Sequence, residues 1–176
     1  VIGTTDQYYV FSLEATSNHR FKANGDSAVS RLWYTVVDMS QNGGLGDVDP
    51  ARKTIQLDSA LSGNMIAVRG TACNTIWVLV HDMQEPVFKA YRVTAAGVDA
   101  QPVVSTTSRL IAHAQAYQES NMRISPDGRT LARCSRGVGI NGIGLELYDF
   151  DPATGIVSNA RLIDERVGTT VAFSPN

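Results

Sequence analysis

The chain has 176 residues, 43% of them hydrophobic, which is enough apolar side chain to fill a core. Its formal net charge is -2 with 18% charged residues, and Lys and Arg are scattered singly. That excludes the basic stripe a nucleic-acid partner requires. No apolar run approaches the roughly 20 residues of a membrane-spanning helix, so no membrane insertion is expected.

Strand signals begin with Tyr8-Tyr9-Val10-Phe11-Ser12-Leu13 and continue with Leu32-Trp33-Tyr34-Thr35-Val36-Val37 and Ile76-Trp77-Val78-Leu79-Val80. These three runs are apolar at nearly every residue, as expected of strands covered on both faces. Phe88-Lys89-Ala90-Tyr91-Arg92-Val93 and Leu145-Glu146-Leu147-Tyr148-Asp149-Phe150 alternate instead, the period-2 pattern of a half-buried strand. Turn clusters separate the runs at Asn42-Gly43-Gly44, Ala96-Gly97, Pro126-Asp127-Gly128 and Pro152-Ala153-Thr154-Gly155. Only Ser105 to Gln118 is ambiguous, a short helix around Ala112, His113, Ala114 and Ala116 or a long loop. No segment keeps a helical period beyond two turns, and the expected class is all-β.

The runs repeat. Ile76–Val80, Phe88–Val93, a turn at Ala96-Gly97 and then Val103-Val104-Ser105 are matched by Arg129–Cys134, Gly144–Phe150, a turn at Thr154-Gly155 and Ile156-Val157-Ser158. Tyr8–Leu13 and Leu32–Val37, with a turn at Gly43-Gly44, open the series. Met122-Arg123-Ile124-Ser125-Pro126-Asp127 returns as Val171-Ala172-Phe173-Ser174-Pro175-Asn176. The spacing, roughly 50 to 57 residues, suits four-stranded blades of a β-propeller. About three blades' worth of antiparallel strands is expected, an incomplete ring with approximate units at 1–70, 71–128 and 129–176. In that scheme Tyr8 lacks a preceding inner strand and Phe173 lacks its successors. With no initiator Met or signal peptide, the chain is expected to have been cut from a longer one. The expected partners are therefore the remaining blades of a parent polypeptide or further copies of this chain, because three blades alone leave two apolar faces exposed.

Several stretches resemble one family. Trp33-Tyr34-Thr35-Val36-Val37-Asp38-Met39-Ser40 with Asn42-Gly43-Gly44-Leu45-Gly46-Asp47-Val48 is similar to a stretch of large surface proteins of Bacteroidota. Those proteins carry an N-terminal propeller of WD-like blades, PKD-type modules and a gliding-motility-type sorting domain. Tyr8-Tyr9-Val10-Phe11, Cys73-Asn74-Thr75-Ile76-Trp77-Val78, Thr94-Ala95-Ala96-Gly97, Ile124-Ser125-Pro126-Asp127-Gly128 and Leu147-Tyr148-Asp149-Phe150-Asp151 add to the likeness. The resemblance implies export by a type IX route and a secreted or cell-surface location. It transfers no catalytic residues.

Motifs with chemical potential are few. Gly137-Val138-Gly139-Ile140-Asn141-Gly142 spells a dinucleotide fingerprint, but a strand rather than a helix is expected after it, so it reads as a loop. Asp47 and Asp49, like Asp149 and Asp151, form Asp-x-Asp pairs beside turns. They read as turn caps, with Ca²⁺ binding as the alternative. His19, His81 and His113 show no ligand spacing, although His81-Asp82 ends a strand and would line a propeller rim. Cys73 and Cys134 lack metal or redox spacing and are expected to be small buried hydrophobes, with a disulfide as the alternative. Trp33 and Trp77 are expected to pack in the core.

No nucleophile elbow or catalytic triad can be assigned. The expected function is a non-catalytic binding or scaffold module presenting loops to a glycan or protein, with His81, Asp82, Asp47 and Asp49 as candidate rim contacts. The alternatives are a hydrolase- or lactonase-type propeller enzyme with Ca²⁺ in its central channel and a purely structural spacer.

Overall fold

The structure, a computed structural model, describes residues 2–14, 30–82, 85–108, 121–136, 143–164 and 170–175. They contain no α-helix, only strands and two 3₁₀ turns at Asn42–Gly44 and Pro50–Arg52. The strands are β1 (Gln7–Glu14), β2 (Ser30–Asp38), β3 (Asp47–Val48), β4 (Ile55–Arg69), β5 (Ile76–Asp82) and β6 (Val87–Thr94). They continue with β7 (Gly97–Val98), β8 (Val103–Thr106), β9 (Asn121–Ile124), β10 (Thr130–Arg136), β11 (Ile143–Asp151) and β12 (Ile156–Asp164). The protein is all-β, as its sequence predicts.

The strands form two antiparallel sheets. One has eight strands in the order β1-β2-β4-β5-β6-β7, with β3 on β2 and β8 on β6, and it curls into a half-barrel. The other is a four-stranded meander, β9-β10-β11-β12. The curl turns on β4. Its first half pairs with β2 and its second with β5, and a register shift between Leu61 and Met65 separates the two. Ala60 takes a left-handed φ of 60° in this bend.

Side-chain alternation along β5 ties the layers together. Trp77 and Leu79 point toward the four-stranded sheet, where they meet Phe88, Met122, Leu131, Tyr148 and Val157. Val78 and Val80 point into the concave side, among Leu32, Leu61, Tyr91 and Val93. Continuous apolarity in Ile76–Val80 thus has its expected cause, burial on both faces. The β1 run departs from that expectation: Tyr9, Phe11 and Leu13 pack inward, whereas Tyr8 and Val10 are 55% and 49% exposed. Among the described residues no sheet lies over the outer face of β1.

The alternating runs depart as well. β6 is buried on both faces, with Phe88 and Ala90 on one side and Tyr91 and Val93 on the other. In β11 the period of two holds, but the deeply buried face is Glu146, Tyr148 and Phe150, while Leu145 and Leu147 are only half-buried. Trp33 is half-buried, and its indole N–H donates to Glu14 Oε2 at 3.1 Å. It pairs with exposed Ser12 and lies on the outer face of the sheet, outside the expected core. Cys73 is exposed and Cys134 buried, both as free thiols, so only Cys134 fits the expected small buried hydrophobe. Most of the ambiguous Ser105–Gln118 stretch lies outside the described residues, although Ser105 belongs to β8.

The sheet interface is locked at its lower end by Trp77, whose indole N–H donates to the Pro152 carbonyl at 3.0 Å. Gly155 follows in the same turn with φ +79°, and a Cβ there would come within 2.8 Å of the Trp77 ring. Both the backbone conformation and the close approach require glycine. Gly155→Ala is expected to destabilise the protein by about 3 kcal/mol, combining left-handed strain with overpacking. A urea midpoint unchanged in that variant would show that the Trp77 contact does not hold the sheets together.

Candidate functional site

β5 ends in His81-Asp82, and alternation sends the two side chains to opposite faces of the sheet. Asp82 lies on the concave side with Val78 and Val80. There its carboxylate is 4.0 Å from Lys89 Nζ, which also donates to both oxygens of Asp58 at 2.9 and 3.1 Å. The Tyr91 hydroxyl donates to Asp58 at 2.6 Å. Three strands therefore converge on one ammonium group: β4 through Asp58, β5 through Asp82 and β6 through Lys89 and Tyr91. The cluster remains partly open to solvent, with side-chain exposures of 20% for Lys89, 15% for Asp58 and 19% for Asp82. Burial pushes the Tyr91 hydroxyl well above its usual pKa, and donation to Asp58 adds to the shift, so it stays protonated.

His81 faces the four-stranded sheet. Its Nδ1 contacts the Asp82 carbonyl, and its ring meets Phe88 edge-on with centroids 4.7 Å apart. Phe88 in turn meets Tyr148 edge-on at 4.8 Å. Beside Tyr148 lies a buried ion pair in which Arg133 donates to Glu146 Oε2 at 2.9 Å. Burial, followed by the charge of Glu146, raises the Tyr148 pKa, so this phenol too stays protonated. The Arg133 Nε has no hydrogen-bond partner among the described residues.

The four candidate rim residues do not form one site. Leu61, paired with both Ser30 and Asp82, puts the start of β2 at the Asp82 end of the sheet. Asp47 and Asp49 flank Val48, which pairs with Val37 at the opposite end. Both are occupied in local structure. Asp47 accepts from the Val48 amide at 2.7 Å, and Asp49 caps the Pro50–Arg52 turn through the Ala51 amide at 2.9 Å and Arg52 at 2.7 Å. Asp151 caps its turn through the Ala153 amide and Thr154 hydroxyl, and Asp149 is held by Asn159 and Arg161. The turn-cap reading holds for Asp49 and Asp151, and Asp149 is a cross-strand partner instead. Among the described residues no group of three His, Cys, Asp or Glu could hold a metal ion. His19, His113 and the Gly137–Gly142 motif lie outside the described residues.

Sequence reasoning passed over Asp58, Lys89, Tyr91, Arg133, Glu146 and Tyr148. The available signal was a charge inside an apolar strand run: Lys89 after Phe88, Glu146 between Leu145 and Leu147, and Arg133 before Cys134. A charge in such a place needs an opposite charge or the strand would not be buried there.

Two expectations follow. Glu146→Leu leaves Arg133 buried without its counter-charge and should cost about 3 to 5 kcal/mol, whereas adding Arg133→Met to it should recover most of that loss. A double-mutant cycle by urea denaturation checks it, and additive losses would contradict the pairing. Four carboxylates contribute to the acid sensitivity of the fold. Arg52 holds Asp49 below its usual pKa, Asn159 and Arg161 do so for Asp149, Thr154 for Asp151, and the Ser40 hydroxyl lowers Asp38 to about 2. Because these pKa values are depressed in the folded state, their contribution is complete above about pH 4 and is lost as pH falls toward 2. Urea midpoints should therefore drop over that window, and less steeply in Asp38→Asn.

No known protein family, curated protein or solved structure matches the chain.

Proposed function

We propose that this chain is a non-catalytic binding module built as a stack of propeller-type blades, with a glycan or protein ligand received at the Asp82 end of the sheets. Two features support the blade reading. The second half of β4 with β5, β6 and β8 makes a four-stranded meander like β9-β10-β11-β12. The two are stacked in the same order, β4 against β9 and β8 against β12, where Ser105 Oγ accepts from the Val157 amide at 2.9 Å. β1, β2 and the first half of β4 supply three strands of another such unit on the concave side.

The observation that carries the binding reading is the Asp58–Asp82–Lys89–Tyr91 cluster. It sets two carboxylates and an ammonium, partly open to solvent, on adjacent strands at one sheet end, backed by the buried Tyr91 phenol. Donors and acceptors side by side suit the hydroxyls of a glycan or the polar side chains of a protein. The Lys89 ammonium is neutralised by its carboxylates and the Tyr91 proton is engaged, which favours recognition over nucleophilic catalysis. The calcium-dependent enzyme has weaker support, since the Asp-x-Asp carboxylates serve local structure. A secreted or cell-surface location belongs to this proposal through the resemblance to Bacteroidota surface proteins.

Glycan-array screening followed by titration calorimetry tests it. Lys89→Ala should weaken binding of any selected glycan by about tenfold, equivalent to about 1.4 kcal/mol, with the far-UV spectrum retained. Arg161→Ala, away from the cluster, should bind as the wild type does. Turnover of a substrate by the wild type that Asp82→Asn abolishes would overturn the non-catalytic reading.

A further inference from the structure

Two unexplained strains lie close together in β4, immediately after Asp58. Ala60 holds a left-handed φ of 60° although it carries a side chain. Ser62 is 2% exposed, and its hydroxyl has no hydrogen-bond partner among the described residues. Features of this kind persist where the surrounding structure over-determines them, and they gather at functional sites.

Here β4 is overlong against both of its neighbours. Ser59 and Ala60 separate Asp58 from Leu61, where β2 has only Arg31 between Leu32 and Ser30. Ser62, Gly63 and Asn64 separate Leu61 from Met65, where β5 has only His81 between Asp82 and Val80. Extra residues on one strand of a pair bend that strand and increase its twist.

The bend closes a distance at the candidate site. β5 lies between β4 and β6, so in a flat sheet Asp58 would stand about 10 Å from Lys89 and Tyr91. Yet Lys89 donates to both Asp58 oxygens at 2.9 and 3.1 Å, and Tyr91 donates to one of them at 2.6 Å. From inside the bend, the Ser59 amide donates to Asp58 Oδ1 at 2.7 Å. The carboxylate therefore reaches β6 because the first half of β4 folds back over the concave face.

We propose that Ala60 is a positioning residue: its left-handed backbone turns Asp58 onto Lys89 and Tyr91, and their contacts hold Ala60 in that strained state. A methyl side chain adds no hydrogen bond to the cluster, so the effect passes through the backbone. The inference rests on the binding reading above and deepens it. The spacing of carboxylates and ammonium offered to a ligand is set by the bend of β4.

A double-mutant cycle read as urea midpoints tests the coupling. Glycine takes this φ without strain, so Ala60→Gly should raise the midpoint of the wild type. In Lys89→Met the cluster no longer holds the bend, and the same change should raise the midpoint by less than half as much. Equal shifts in the two backgrounds overturn the inference, because Ala60 would then act only locally. Lysine ¹⁵N spectra give a second reading. Nζ protons held by Asp58 should exchange slowly enough to give a Lys89 signal, assigned by its loss in Lys89→Met. That signal should persist in Ala60→Gly and in Gly63→Ala, where an added Cβ meets nothing within 4 Å. It should vanish in Ala60→Val, since a β-branched residue rejects the left-handed region. Its persistence in folded Ala60→Val overturns the inference, and where that variant does not fold the cycle decides alone. Neither measurement uses a ligand, so failure here leaves the binding reading standing. A glycan from the array that binds Ala60→Val as tightly as the wild type, with the Lys89 signal lost, sinks the binding reading alone.

Discussion

Burial of β5 on both of its faces is the constraint from which the remaining architecture follows. Trp77 and Leu79 need one sheet to cover them, and Val78 and Val80 need another on the opposite side. A solitary sheet would leave one of these pairs in water, at about 1.5 to 3 kcal/mol for each large side chain. The chain satisfies both demands by bending β4 back over the concave face and by placing β9 to β12 against the convex one. Continuity of β4 through its bend makes the first covering layer part of the same sheet. The second layer is separate and is tied down by Trp77 on Pro152 and by Ser105 on Val157.

The same two-sided burial explains where the charges sit. Near the end of β5 the apolar pattern gives way to His81 and Asp82, and each faces a layer that must accommodate a polar group. On the concave side the answer is Lys89 between Asp58 and Asp82, with Tyr91 donating to Asp58. Between the sheets His81 contacts the Asp82 carbonyl and packs edge-on against Phe88, and farther along the same interface Arg133 pairs with Glu146. A buried ion pair of this kind is a weak source of stability relative to apolar packing, but breaking one partner is costly. Its effect is to disfavour slipped registers, because a one-residue shift of β11 against β10 would send Glu146 to the other face, away from Arg133. At the other end the described carboxylates are engaged in turns and cross-strand contacts, as Asp49, Asp151 and Asp149 show.

Much of the fold was legible from residues alone. Ile76–Val80 announced two-sided burial, and Ser125-Pro126-Asp127-Gly128 announced its turn. In that turn Asp127 accepts from the Arg129 amide at 3.1 Å and Gly128 takes φ +73°. Other features depended on partners distant in sequence. The phase of β11 could not be read, since Leu145 and Leu147 look like the core face until Arg133 is found opposite Glu146 on β10. The length of β4 was hidden by Ser59, Gly63 and Asn64, which resemble a loop but form the bend of a continuing strand. The candidate site was legible only at Asp82. Asp58 and Lys89 are 31 residues apart, and no spacing rule connects them.

Native-state amide hydrogen exchange, resolved by residue, tests most directly whether two-sided burial of β5 organises the protein. The account predicts that Val78, Leu79 and Val80 exchange only through global unfolding, at the same free energy as the slowest amides of β6, β10 and β11. Independent opening of β9–β12, with β5 still protected to the global limit, would contradict it.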